Sequence, residues 1–291
     1  MNRTADQIAR WVFFIAGILT SAVLLGIFGM LLINGLRAFQ EIPLLEFFTG
    51  TIWNPTGYTE ETYGILPMMV STFFVTLGAM VLAVPLGVGA AAYLSEFAPK
   101  RVREILKPMV EMLAGIPSVA IGFLGITLVG PALARTFGLN NGLNALNGSI
   151  LLAVMALPTI ISVSEDAIRA IPNYYKEAGL AMGANKWVTL STVTLPASYS
   201  GIIAAVILGI GRALGETMTV LMATGNAPAM TVNFFESVRT MTATIAIELG
   251  EVPNGTAHYY SLFAIGTVLF LISLLINLMA ERIAARYRYQ I

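Results

Sequence analysis

Apolar residues along this chain gather into six long intervals that carry almost no charge. A helix needs about 20 mostly apolar residues to cross a bilayer, and each interval approaches or exceeds that length. The pattern therefore predicts an all-α, polytopic membrane protein with six transmembrane helices in one transmembrane domain. The predicted spans cover residues 11–36, 66–95, 111–134, 148–165, 200–222 and 259–281.

Proline and glycine interrupt several of these intervals. Pro67 and Pro85 fall in the second, Pro158 in the fourth, and Pro117 lies in the glycine-rich stretch AGIPSVAIGFLG of the third. Proline removes a helical hydrogen bond, and small residues permit close helix packing. We expect a broken or tightly packed helix around Pro117.

Composition supports a membrane protein and excludes several other classes. Hydrophobic residues make up 57% of the chain and charged residues only 11%, and the net charge is zero without long blocks of one sign. This argues against a nucleic-acid-binding protein. Cysteine is absent, and the single histidine, His258, precedes an apolar run, where a structural role is the more common one. No metal site is predicted.

Lysine and arginine set the expected orientation. Twelve of the sixteen basic residues fall on one side if both termini lie in the cytoplasm, and only Arg37, Arg135 and Arg239 fall outside. The segments 37–64, 135–147 and 223–258 are then external, and 166–199 is cytoplasmic. The first and last external segments contain turn-forming sequences, and either contact an outside partner or are plain solvated connections.

The cytoplasmic segment contains the most specific motif. Glu177-Ala178-Gly179, three residues, Gly183, nine residues and Val193-Thr194-Leu195-Pro196 follow one another there. This arrangement resembles the coupling-loop signature of ATP-binding cassette (ABC) importer permeases, EAA, three residues, G, nine residues, I-x-L-P. The spacing agrees throughout, and Gly179 for Ala and Val193 for Ile are the departures.

The residues themselves predict a helix-turn-helix in this segment. A short helix around residues 174–182 is expected to end at a turn at Gly183, and a second around 186–194 is expected to stop at Pro196. Such a unit can lie in a groove of another protein and transmit its movement. The alternative is an amphipathic linker on the membrane surface.

Arg212 and Glu216 are the charged pair inside the fifth span. If the helix is continuous, residues four apart share a face, and Glu216 can neutralise Arg212. Arginine suits a tetrahedral oxyanion because its planar fork keeps its charge. We assign the pair to the translocation path, with a gate or a structural ion pair as alternatives.

The sequence around this pair carries a second resemblance. Residues 211–220, GRALGETMTV, and residues 115–118, GIPS, are similar to the C-type membrane subunit of phosphate-specific ABC importers. The resemblance implies a type I ABC importer permease fold in the prokaryotic plasma membrane. It also implies a heterodimer with a second homologous permease, two cytoplasmic ATPase subunits, an external phosphate-binding protein and surrounding membrane lipid.

The chain is not expected to be an enzyme. No GxxxxGK[ST] phosphate loop occurs in the sequence, so ATP is expected to bind to the partner subunit and no cofactor to this one. The alternatives are a permease for another oxyanion or small solute in the same importer class, and an ion-coupled secondary transporter. The second would leave the coupling-loop spacing unexplained.

Overall fold

Six helical segments in the computed structural model are long and apolar enough to cross a membrane, which confirms the predicted fold class. The structure describes residues 3–58 and 60–286. The six segments are Ala9–Ala38, Leu66–Phe97, Ser118–Phe137, Ala145–Arg169, Lys186–Gly215 and Ala257–Ala284.

The described residues form thirteen α-helices and two antiparallel β-strands of two residues each. Three π-helical turns, Tyr93–Phe97, Gly125–Val129 and Leu190–Thr194, continue α-helices. The elements are α1 (Arg3–Ala38), α2 (Leu44–Thr49), β1 (Trp53–Asn54), β2 (Thr62–Tyr63), α3 (Leu66–Ala92), α4 (Lys100–Ala114), α5 (Ser118–Leu124), α6 (Gly130–Phe137), α7 (Ala145–Arg169), α8 (Asn173–Ala181), α9 (Lys186–Thr189), α10 (Leu195–Gly215), α11 (Met218–Ala223), α12 (Met241–Glu248) and α13 (Ala257–Arg286).

Helix α7 lies at the centre of the bundle, packed between α3 and α10. In the most apolar 18-residue stretch of α7, 61% of the residues are buried, against 0% in α1, which lies at the periphery against α13. The side chain of Asn144 caps the start of α7 by accepting from the amide of Asn147 at 3.0 Å. The central core joins Val75 and Ala79 of α3 to Ala156 and Ile160 of α7.

Two predicted spans differ from the structure because the helices break inside them. The expected span 111–134 is divided at residues 115–117, so that α4 ends at Ala114 and α5 begins after Pro117. The interruption expected at Pro117 is therefore present. The expected span 200–222 is divided at residues 216–217, between α10 and α11.

The two neighbouring crossing helices extend into the predicted cytoplasmic segment 166–199 from both ends. Helix α7 runs from Ala145 to Arg169, beyond the predicted bounds 148–165, and the fifth crossing begins at Lys186 rather than at residue 200. The connection between these two helices is accordingly short, apart from α8.

The segments predicted as external loops are folded against the helix ends. Phe47, Trp53, Tyr63 and Ile65 belong to a buried cluster that also includes Met241 of α12. The interpretation of 37–64 and 223–258 as plain solvated connections is therefore wrong for these residues, because they share a buried core with the ends of α1, α3 and α13. We call this end of the bundle the loop side and the opposite end, near α8, the hairpin side.

Candidate functional site

The predicted helix-turn-helix is present on the hairpin side. Helix α8 spans Asn173–Ala181, and α9 begins at Lys186. The side chain of Asn185 caps α9 by accepting from the amide of Val188 at 2.9 Å. We call residues 173–194 the coupling hairpin.

Two glycines of the motif fix the geometry of the coupling hairpin. Gly183 has φ +86°, a left-handed conformation that side-chain-bearing residues rarely adopt. At Gly179 an added Cβ would lie 3.2 Å from the side chain of Thr189, so glycine permits α8 to approach α9 closely. The signature glycines therefore have separate roles, one in the turn and one in packing.

The coupling hairpin is tied to the end of the second crossing. The ammonium of Lys176 lies 2.6 Å from the carboxylate of Glu96, and each side chain is 18% exposed. The rings of Phe97 and Trp187 lie 6.3 Å apart nearby. Movement of the hairpin is thereby linked to the helix that contains α3.

One face of α8 points away from the bundle. Tyr174, Glu177, Ala178 and Ala181 are all exposed. No hydrogen bond or ion pair of Glu177 occurs within the described residues. The face thus presents small residues and one carboxylate to the outside of the bundle.

Pro196 does not end a helix, contrary to the sequence prediction. Leu195 and Pro196 form the first turn of α10, and the wider π-helical turn Leu190–Thr194 joins α9 to α10 without a break. Proline is tolerated in a first helical turn because its missing N–H would have no intrahelical partner there. The coupling hairpin is consequently continuous with the fifth crossing over Lys186–Gly215.

The breaks of the third and fifth crossings meet each other. The hydroxyl of Thr219 donates to the carbonyl oxygen of Ser118 at 3.1 Å and contacts the sulfur of Met155 at 3.0 Å. Met155 lies near the middle of α7, so this contact lies about halfway along a crossing helix. We call residues 114–118 and 212–219 the broken-helix junction. In many secondary transporters, the substrate site is formed by discontinuous helices.

Arg212 and Glu216 both lie at the junction, but they do not form the predicted ion pair. Arg212 is in the last turn of α10 and donates to the carbonyl oxygen of Ala114 at 3.4 Å. Glu216 follows the helix end with ψ 129°, and its carboxylate accepts from the amide of Thr219 at 3.2 Å. The prediction that the two residues share one face of a continuous helix is wrong, because the helix ends at Gly215, between them.

A buried acidic residue on the hairpin side escaped the sequence analysis. Glu165 is 1% exposed, and its carboxylate lies 2.6 Å from Lys107, 3.3 Å from Arg103 and 3.5 Å from Arg169. The cluster fastens α4, which buries none of its residues, to α7. The available signal was the adjacent pair of acids, Glu165 and Asp166, at the end of an apolar run.

A comparison with protein families gives residues 83–289 to the model described as "Binding-protein-dependent transport system inner membrane component". The chain belongs to this family. Its members are membrane components of transporters, consistent with the six crossings and with the coupling hairpin.

Curated relatives of this family member match over nearly its whole length. The probable ABC transporter permease protein YqgH of Bacillus subtilis is 34% identical over 288 residues, 98% of this chain and 93% of the relative. The phosphate transport system permease protein PstC 1 of Mycobacterium tuberculosis is 34% identical over 317 residues, 97% of this chain and 94% of the relative.

Solved structures show the same fold at low sequence identity. A bacterial ABC transporter involved in alginate import matches with a TM-score of 0.64 and 16% identity, over 98% of this chain and 99% of that one. The MetNI methionine ABC transporter, in an inward-facing conformation, matches with a TM-score of 0.58 and 19% identity, over 77% and 94%. The fold is that of a type I ABC importer permease.

Proposed function

We propose that this chain is the permease subunit of an ABC importer that moves inorganic phosphate into the cytoplasm, powered by a separate ATPase subunit. The observation that carries the proposal is that Arg212 lies at the broken-helix junction of a chain whose full-length relatives include phosphate transport permeases. The junction supports the location of the translocation path, and the relatives support phosphate as the substrate.

The chemistry of Arg212 suits an oxyanion. Its guanidinium has five N–H donors and holds its charge at any physiological pH. Its one hydrogen bond within the described residues, to Ala114, is 3.4 Å long and leaves most of those donors for a ligand. A charge at this depth costs several kcal/mol by insertion scales, so a functional reason for it is expected.

The assembly proposed around the chain has four kinds of partner contact. The exposed face of α8 docks on one of two cytoplasmic ATPase subunits, and the loop side receives a phosphate-binding protein. A second homologous permease completes a heterodimer, and lipid covers the rest. Both termini lie in the cytoplasm, as the distribution of basic residues favours.

The continuous helix Lys186–Gly215 supports a mechanical role for the coupling hairpin. A push on α8 and α9 moves one rigid helix, whose last turn carries Arg212. Since Arg212 donates to the end of α4, that movement also changes the gap between the two broken crossings. In this mechanism, ATP binding by the partner moves the coupling hairpin and opens the path at the junction.

The test is to purify the full complex, reconstitute it in vesicles and add the phosphate-loaded binding protein. We expect stimulated ATPase activity and phosphate uptake that an excess of sulfate does not inhibit. Stimulation only by another loaded oxyanion would support the alternative substrate. Uptake driven by an ion gradient without ATP would contradict the proposal.

A further inference from the structure

The carboxylate of Glu248, the last residue of α12, joins three segments of the loop side. It accepts from Arg239 at 2.8 Å and from the indole N–H of Trp53, 3.1 Å from each of its oxygens. Nε2 of His258, in the first turn of α13, lies 2.8 Å away. We call these four residues the Glu248 clamp.

The clamp is shielded from solvent. Exposure is 15% for Glu248, 17% for Arg239 and 12% for His258. Hydrogen bonds to a charged group are stronger than neutral ones, and shielding reduces the screening that weakens surface ion pairs. Arg239 also donates from Nε to the carbonyl oxygen of Asn226 at 2.9 Å, so the clamp also contacts the segment that follows α11.

The other end of α12 reaches the broken-helix junction. The hydroxyl of Thr242 donates to the backbone carbonyl of Glu216 at 2.9 Å. The amide of Met241 donates to the hydroxyl of Thr72 at 3.0 Å, and Met241 and Thr244 are buried. From residue 242 to residue 248, the helix covers about 9 Å at 1.5 Å per residue. One short helix thus connects the clamp to the junction.

We propose that Glu248 is a positioning residue for transport, which holds α12 so that Thr242 fixes the backbone of Glu216 at the junction. Contact of a loop-side partner with the cleft beside the clamp, lined by residues 54–56, Glu251 and Pro253, shifts the clamp and, through α12, the junction. The inference rests on the proposed function for its consequence in transport. Its structural step does not depend on the substrate.

The first test measures amide hydrogen exchange in the complete chain in lipid nanodiscs, without substrate or nucleotide. Glu248→Gln keeps the size and one acceptor but removes the charge that binds Arg239. We expect exchange at residues 218–224 to rise about tenfold, the effect of losing one charged hydrogen bond. The control is Glu251→Gln, an exposed carboxylate at the same cleft, which should leave these amides unchanged. A rise confined to residues 239–258 overturns the proposal.

The second test separates positioning from loss of folded protein. In the reconstituted complex, a variant that merely folds less well lowers basal and stimulated ATPase activity in proportion. We expect Glu248→Gln, and to a smaller extent Trp53→Phe, to lower the ratio of stimulated to basal activity. An unchanged ratio in both variants overturns the role in transport. If wild-type complex is not stimulated by phosphate-loaded binding protein, the proposed function fails, while the exchange experiment still decides the role of Glu248.

Discussion

Arg212 and Glu216 are four residues apart, yet they contact opposite sides of the broken-helix junction. Arg212 binds the carbonyl oxygen that ends α4, and Glu216 caps the first turn of α11. Each charged group therefore satisfies backbone groups that a helix break leaves without partners. Among the described residues, no carboxylate forms an ion pair with Arg212.

Replacing Arg212 should show whether its charge and its N–H donors are needed for phosphate uptake. Arg212→Leu is expected to abolish phosphate uptake, because it removes both the charge and the N–H fork, whereas Arg212→Lys should retain part of the uptake. The measurement is uptake in vesicles at equal amounts of inserted complex. Arg135→Leu, an exposed arginine of α6, is the control. Normal uptake by Arg212→Leu would remove the residue from the translocation path.

Reversing the charge of Glu177 should affect the partner and not the fold. Glu177 is exposed on α8, so Glu177→Arg is expected to change the free energy of unfolding by less than about 0.5 kcal/mol. It should nevertheless weaken co-purification of the ATPase subunit. Glu104→Arg, an exposed carboxylate of α4 on the same side, should leave co-purification intact. Equal co-purification for both variants would contradict the docking assignment.

Gly183 should tolerate no side chain without strain. An L-residue in the left-handed region costs about 1–2 kcal/mol, so Gly183→Ala should lower thermal stability and reduce coupled transport. Gly183→Pro should be worse, since proline cannot adopt φ +86°. Gly89→Ala, where an added Cβ meets nothing within 4 Å, is the matched control. The variants are compared by their melting temperatures and by uptake per ATP hydrolysed.

The ion pair between Lys176 and Glu96 should be needed for transmission. Lys176→Glu places two carboxylates together and is expected to release the coupling hairpin from the second crossing, lowering uptake per ATP. The double variant Lys176→Glu with Glu96→Lys restores opposite charges and should recover much of the loss. Absence of recovery would show that these residues act independently of each other.

Glu165 should contribute more to stability than its neighbour Asp166. Glu165→Gln leaves Arg103, Lys107 and Arg169 without their shared carboxylate and should cost about 3 kcal/mol. Asp166→Asn, at a side chain 69% exposed, should cost less than about 1 kcal/mol. Unfolding in detergent measures both. Equal losses would contradict the central place of Glu165.

The pH dependence of this cluster follows from Lys107. The hydrogen bond to Glu165 raises the pKa of Lys107 above the ordinary value of a lysine. A raised pKa in the folded state means that its contribution is complete below the pKa of the unfolded chain and is lost as pH rises through the folded value. The stability difference between wild type and Glu165→Gln should thus stay constant from about pH 7 to about pH 9 and shrink in more alkaline solution.

The sequence alone determined the class of fold and the place of the coupling hairpin. The six apolar intervals are enough to predict six crossing helices. A crossing helix must form its backbone hydrogen bonds internally and present apolar side chains to lipid, and a local stretch of sequence shows whether it can do so. The same holds for Gly183, whose turn depends on local backbone conformation.

Only the tertiary structure decided what the charged residues contact. Whether Arg212 contacts Glu216 or Ala114 depends on a helix end at Gly215. Two of the three cations around Glu165, Arg103 and Lys107, lie on a helix about 60 residues earlier in the chain. The Glu248 clamp likewise joins Trp53 to residues about 190 positions away. Contacts of this kind depend on the packing of distant segments, which local periodicity does not encode, because a helical pattern specifies which face is buried and not which neighbour covers it.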